Sequence, residues 1–269
     1  MGITTILGLI VAAIGIIGGY MIEGGSVLSL YNLPGLMIVC VGTLGATLVS
    51  FPLSVMKTIP TSFIRVLKGS SGVAPAEMAE RLVNMADKAR REGLLSLEEE
   101  AQTVGDDFAK KGLMLMIDGT DPEALKAILE IEIDGASARM KEEEEVFRAG
   151  SGFAPTIGVL GAVLGLITVL GNLGGDVSEL GHGIATAFVA TFYGVGMANV
   201  ILLPVATKLK AIAGEEGLTR EMILEGILSI QAGDNPRIVR EKLQSYLPLH
   251  ERSSADEDGE GDSRERAAA

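Results

Sequence analysis

Hydrophobic and polar positions along this chain are sorted into long blocks. Ile3 to Ile22 carry no charged side chain, and neither do Leu33 to about Met56, Ala149 to Gly175, or about Gly183 to Ala206. Each block can cross a bilayer as a helix, which takes roughly 20 apolar residues. Between the second and third blocks the pattern changes to a helical period with one apolar face. Pro75 suits a first helical turn, and Met78, Leu82, Met85 and Ala89 line one face before Gly93 ends the segment. Ser96-Leu97-Glu98-Glu99 has the form of a capping box. Asp121-Pro122 opens another helix with Leu125, Ile128, Leu129 and Ile133 as its stripe, leading through Arg139 to Glu145 toward the third block. Beyond Lys208 the helical pattern runs to a break at Gly233-Asp234-Asn235-Pro236, and Arg237 to Leu247 gives one more amphipathic helix.

This pattern predicts an all-α polytopic membrane protein. Residues 1–56 hold spans one and two, 57–148 a helical cytoplasmic domain, and 149–207 spans three and four. Residues 208–252 form a helical C-terminal segment, and 253–269 an acidic tail too polar to bury a core, expected to be disordered.

The third block opens with Ala154-Pro155-Thr156-Ile157-Gly158-Val159-Leu160-Gly161-Ala162-Val163-Leu164-Gly165-Leu166. Gly158, Gly161, Ala162 and Gly165 recur at helical spacing, so one face is nearly bare backbone. In lipid, helices associate by packing, and such a face is expected to receive a helix of a partner beside an ion path. The plainer alternative is a tight bundle that conducts nothing. Pro155 is placed near the start of the span, where a missing N–H costs least. Pro204, near the end of the fourth span, frees backbone carbonyls that water, a hydroxyl or a neighbour must satisfy.

Charge decides the orientation. All 22 Lys and Arg fall within 57–148 and 208–269, while the short loops 23–32 and 174–181 contain none. The positive-inside rule puts both polar segments and both termini in the cytoplasm. The apolar start, without a basic flank, reads as a retained span. A net charge of −13 argues against nucleic acid as a partner. The one cysteine, Cys40, excludes a disulfide framework within a single chain. There is no phosphate loop, no Cys/His metal spacing and no nucleotide fingerprint, so neither cofactor, metal nor enzymatic activity is expected. His182 and His250 are too far apart in sequence to suggest a site. None of the four spans contains Asp, Glu, Lys or Arg. A chain that conducts protons without a titrating group of its own needs a carboxylate from another protein.

Four segments in order carry a resemblance. They are Lys88-Ala89-Arg90-Arg91-Glu92-Gly93-Leu94-Leu95-Ser96-Leu97-Glu98, the stretch Ala154 to Leu166, Ala190-Thr191-Phe192-Tyr193-Gly194, and Glu225-Gly226-Ile227-Leu228-Ser229-Ile230-Gln231-Ala232-Gly233-Asp234-Asn235-Pro236. Together they resemble the MotA family of flagellar stator subunits over residues 1 to about 250. The resemblance implies a bacterial inner-membrane pentamer around MotB-type single-span subunits, each supplying an intramembrane Asp. Proton flow would turn the pentamer and drive the rotor protein FliG. It places Pro155, Thr191, Pro204, Ala162 and Ala190 along the ion path, and Gly158, Gly161 and Gly165 against the partner. Arg90 and Glu98 would face the rotor. Sodium-type members carry threonine where Ala162 and Ala190 stand here, so the resemblance implies protons as the coupling ion. A TolQ/ExbB-type energiser is the alternative of the same class, with three spans rather than four. A non-conducting scaffold is the alternative of another class, and a membrane-embedded hydrolase a more distant one, with no nucleophile–base pair in view.

Overall fold

A computed structural model describes residues 2–69, 72–172 and 177–249. The acidic tail, His250 and part of the 174–181 loop lie outside these residues. Every element among the described residues is helical, in two compact units.

The first unit comprises residues 1–70 and 139–212. It begins with α1 (Gly2–Ile22) and a 3-10 turn (Val27–Leu30), then α2 (Leu33–Ser50). The Asn32 side chain caps α2 by accepting from Gly35 N at 2.8 Å. The second span is shorter than the apolar block suggested. Its helix stops at Ser50, because Pro52 favours extended backbone at Phe51, whose φ and ψ are −129° and 147°. Two short helices follow, α3 (Leu53–Met56) and the amphipathic α4 (Ile59–Lys68). Within this unit Ser62 Oγ donates to Glu143 at 2.7 Å, with the Arg65 guanidinium 3.9 Å from the same carboxylate. Residues 57–70 and 139–148 therefore group with the spans and not with the polar domain expected from charge alone.

The second unit comprises residues 71–138 and 213 onward. It contains α5 (Pro75–Glu92), a 3-10 turn (Leu94–Leu97), α6 (Glu98–Thr103) and α7 (Asp107–Ile117). Its core takes Met78, Leu82 and Met85 from α5, and Leu113 and Met116 from α7. α8 (Pro122–Gly171) enters this core through Leu125, Leu129 and Ile133, while Ile128 is partly exposed because its spacing leaves it beside that stripe. The capping box does not form. Ser96 lies in the 3-10 turn, where its hydroxyl donates to the Gly93 carbonyl at 2.7 Å, and α6 starts without a side-chain cap.

After α8 come α9 (Val177–Gly196), a π-helical turn (Met197–Leu202), α10 (Leu203–Ala232) and α11 (Pro236–Gln244). α10 and α11 complete the second core with Met222, Ile223, Ile227, Val239 and Leu243. The C-terminal helices are thus part of the insertion's fold. The Glu225–Pro236 segment explains itself in this packing. A Cβ on Gly226 would lie 2.8 Å from Leu82 Cδ1, so the glycine gives that leucine room to pack close to α10. Gln231 donates to the Thr120 carbonyl at 2.7 Å, Gly233 takes φ +73°, and Asn235 caps α11. Lys242 Nζ gathers Glu225 at 2.9 Å, Asp234 at 3.1 Å and Ser229 Oγ at 3.1 Å. Those two carboxylates, Glu225 first, raise the lysine's pKa above its ordinary value.

Among the described residues, four helices are long and apolar enough to cross a membrane. α8 is continuous over 50 residues, with Pro155 inside it. Pro155 is therefore not at a helix start, as its position at the head of the apolar block suggested. The helix has already run from Pro122, and the proline denies the Ser151 carbonyl its usual donor.

Candidate functional site

The glycine stripe of α8 is occupied by the chain's own α9. A Cβ on Gly158 would lie 2.9 Å from Ala190 O, 3.2 Å from Gly194 Cα and 3.3 Å from Thr191 Cα. On Gly165 it would lie 2.8 Å from Gly183 O and 2.9 Å from Ala187 N, and on Gly161 2.8 Å from Ala190 Cβ. α9 replies with small residues of its own, since a Cβ on Gly194 would stand 2.5 Å from Ala154 O. Gly158, Gly161 and Gly165, expected to receive a partner's helix, thus pack against α9 of the same chain. At Gly158 and Gly165 backbone meets backbone within one chain, while Ala162 of the same stripe is left to line a recess.

Ala190 is corrected by the same packing. It is 0% exposed, enclosed by Gly158 and Gly161 of α8 and by Gly35 of α2, whose missing Cβ would lie 3.4 Å from Ala190 N. A residue so enclosed cannot line a path shared with another protein. Ala162 and Thr191 do come together, on the walls of one recess of about 600 Å³. Leu166, Ala187, Phe192 and Asn199 also line it, and Ile16 of α1 closes one side. The recess is apolar apart from Thr191 and Asn199. The Thr191 hydroxyl donates to Ala187 O at 3.2 Å, and the Asn199 amide donates to Val195 O at 3.0 Å. Each bond uses a donor and leaves an oxygen able to accept.

Pro204 lines a second recess, of about 390 Å³, with Thr4, Thr5, Phe63 and Lys208. Asn199 and Val200 line both recesses. These two residues sit in the π turn, and the turn explains their chemistry. In an α-helix Val200 O would accept from residue 204, but proline has no N–H. Asn199 O would accept from Leu203, but in π register Leu203 N donates to Ala198 O instead. Two carbonyls are therefore deprived of their usual donors where the recesses meet. Pro204 signalled freed carbonyls in the sequence. The π turn and Asn199 were not read there, because an insertion in helical register depends on tertiary packing. Pro155 lines neither recess.

The remaining pair lies in the second unit. Arg90 is on the last turn of α5 and Glu98 opens α6, both exposed, on either side of Gly93 at φ +88°. Their neighbours are paired, Lys88 with Glu100 and Arg91 with Asp87, each at 2.8 Å. No metal-binding cluster of His, Cys, Asp or Glu occurs among the described residues.

Comparison with known proteins adds the following. Residues 6–93 match the model of the Motility protein A N-terminal family, and residues 100–222 that of the MotA/TolQ/ExbB proton channel family. The chain is 35% identical to Motility protein A of Bacillus subtilis over 263 residues, covering 98% of this chain and 97% of that one. It is similar to the solved structure of C. jejuni MotAB, with a TM-score of 0.87, 32% identity, and 93% and 97% of the two chains covered. It is similar also to the flagellar MotAB stator complex of Bacillus subtilis, with a TM-score of 0.86, 35% identity, and 93% and 98% covered.

Proposed function

Since this chain belongs to the Motility protein A family, within the MotA/TolQ/ExbB proton channel family, we propose that it is a flagellar stator subunit coupling proton flow to torque. It is a multi-pass protein of the bacterial cytoplasmic membrane and works with a MotB-type partner. Its four span-length helices set it apart from the three-span TolQ/ExbB energisers. The matching family model is described as one of proton channels.

One observation supports the finer reading. The recess shared by Ala162 and Thr191 offers a hydroxyl and an amide, is lined also by Val200 of the π turn, and holds no titratable group. A proton needs a carboxylate and an oxygen to pass it to. A MotB-type span lying on this face supplies the intramembrane Asp, and Thr191, Asn199 and the carbonyls beside Pro204 supply the oxygens. Sodium exchanges its hydration shell for several oxygens at once. The methyl of Ala162 offers none, and Ala190 is sealed away from the recess. The coupling ion is the proton. Both termini lie in the cytoplasm, five copies surround two partners, and Arg90 and Glu98 present complementary charges to FliG, which favours rapid, reversible docking.

The test is swimming speed in a host whose only stator holds this chain. Speed is expected to persist in sodium-free buffer and to collapse with a protonophore. Motility that tracks external sodium at constant proton-motive force would overturn the assignment. A single-span protein with an intramembrane Asp is expected to co-purify from native membranes.

A further inference from the structure

A buried polar cluster ties α9 to the start of α2. The Tyr193 hydroxyl donates to the Leu30 carbonyl and accepts from Asn32 N at 3.2 Å. The Asn32 amide donates to Thr186 Oγ1 at 2.8 Å, and Thr186 donates in turn to the His182 carbonyl at 3.0 Å. Asn32 and Thr186 are both buried. Thr186 and Tyr193 are seven residues apart, so they share one face of the helix. Thr191 lies two residues from Tyr193, about 200° round the axis, and opens on the opposite side. Three side chains thus fix the rotational setting of α9, and nothing among the apolar walls of the recess would fix it as sharply. Leucine and valine tolerate a helix turning by some tens of degrees, whereas a hydrogen bond weakens steeply once its angle is lost.

We propose that Asn32, Thr186 and Tyr193 are positioning residues for ion transfer. By locking the rotation of α9 they hold the Thr191 hydroxyl toward the recess and keep Ala190 turned away against α2 and α8. This rests on the reading that Thr191 faces the ion path. The cluster touches neither the ion nor the recess and acts only through the helix. The Tyr193 hydroxyl pairs with the Leu30 carbonyl and Asn32 N, and Thr186 Oγ1 accepts from the buried Asn32 amide, so removing either leaves a polar group on the α2 side without this partner and releases α9 from its setting.

The test uses the full chain with its partner in native membranes, in a Cys40→Ser background. Single cysteines are placed as Thr191→Cys or Ala190→Cys and labelled with a small, water-soluble methanethiosulfonate. Position 191 is expected to label and position 190 to resist. Adding Tyr193→Phe, or separately Thr186→Val, is expected to lower the ratio of the 191 rate to the 190 rate by about tenfold, the order that an unpaired buried group imposes. Both replacements keep the shape of the side chain, so failure of one to assemble leaves the other. In chains with Thr191 intact, either replacement is expected to slow swimming while the partner still co-purifies. An unchanged ratio overturns the proposal while leaving the ion path in place. A parallel rise at both positions also overturns it, because it marks general loosening. Failure of position 191 to label before the cluster is touched refutes the ion-path reading, and the proposal falls with it.

Discussion

Replacing Gly158 by alanine tests the α8–α9 contact most directly. In an exposed helix this substitution is favourable by about 1 kcal/mol, because glycine gives up more backbone freedom on folding. Here the new methyl would sit 2.9 Å from Ala190 O and 3.2 Å from Gly194 Cα. Both are main-chain atoms, so no rotamer change relieves the contact and the helices must move apart. Ordinary carbon contacts are near 3.5–4.0 Å, which asks for a separation of roughly half an ångström or more along a seam packed by backbone. Overpacking of this kind typically costs about 1–3 kcal/mol. Offset by the propensity gain, Gly158→Ala is expected to destabilise the first unit by about 0–2 kcal/mol. Gly194→Ala is expected to be worse, since its methyl would meet Ala154 O at 2.5 Å. Gly152→Ala, with nothing within 4 Å, is the matched control and should stabilise slightly. Detergent-titrated unfolding of the purified complex reads all three in order. If Gly158→Ala behaves like Gly152→Ala, the two helices are not in backbone contact and the packing described here is wrong.

Three other outcomes are expected. Pro204→Leu restores an N–H for the Val200 carbonyl, so the complex should assemble but swim poorly; loss from the membrane would instead make Pro204 a folding residue. Charge reversal at both Arg90 and Glu98 should impair swimming without lowering membrane assembly, and normal swimming in low and high salt would remove the pair from the rotor contact. Lys242→Met should expose α11 to hydrogen exchange at a cost of about 1 kcal/mol, the modest value of a solvent-screened ion network. Because that lysine's pKa is raised, its tie holds in full below the ordinary 10.5 and is lost as pH climbs through the raised value; protection of α11 that is equal at pH 8 and pH 11.5 would count against it.

Much of the fold was legible because its determinants are local. Runs of apolar residues mark the spans, Pro75 and Gly93 bracket α5, and Asn235-Pro236 caps and starts α11. The site was legible only in part. Thr191 and Ala162 were found, and they do share a recess. The glycine stripe was seen, but a stripe states only that something comes close, not which helix. Ala190 looked equivalent to Ala162 until the rotation of α9 placed it between Gly35 and Gly161. Ser96 had the right neighbours for a capping box, yet the 3-10 turn ahead of α6 redirected its hydroxyl. Glu143 stands in the acidic run Glu142–Glu145, and nothing in that run announces that Ser62 and Arg65 of α4 come to its carboxylate. Apart from Ser96, whose turn is local, these misses depend on a partner far away along the chain.

That the spans hold no Asp, Glu, Lys or Arg has a consequence for how the motor is made. A membrane that stores energy as a gradient is harmed by any protein that leaks. On its own this subunit places no Asp, Glu, Lys or Arg within the hydrocarbon, and so lacks the side chains that usually relay protons through a membrane. On the mechanism proposed above, conduction waits for a second gene product to bring the carboxylate. Safety during assembly is thereby written into composition, and it needs no separate gate on this chain.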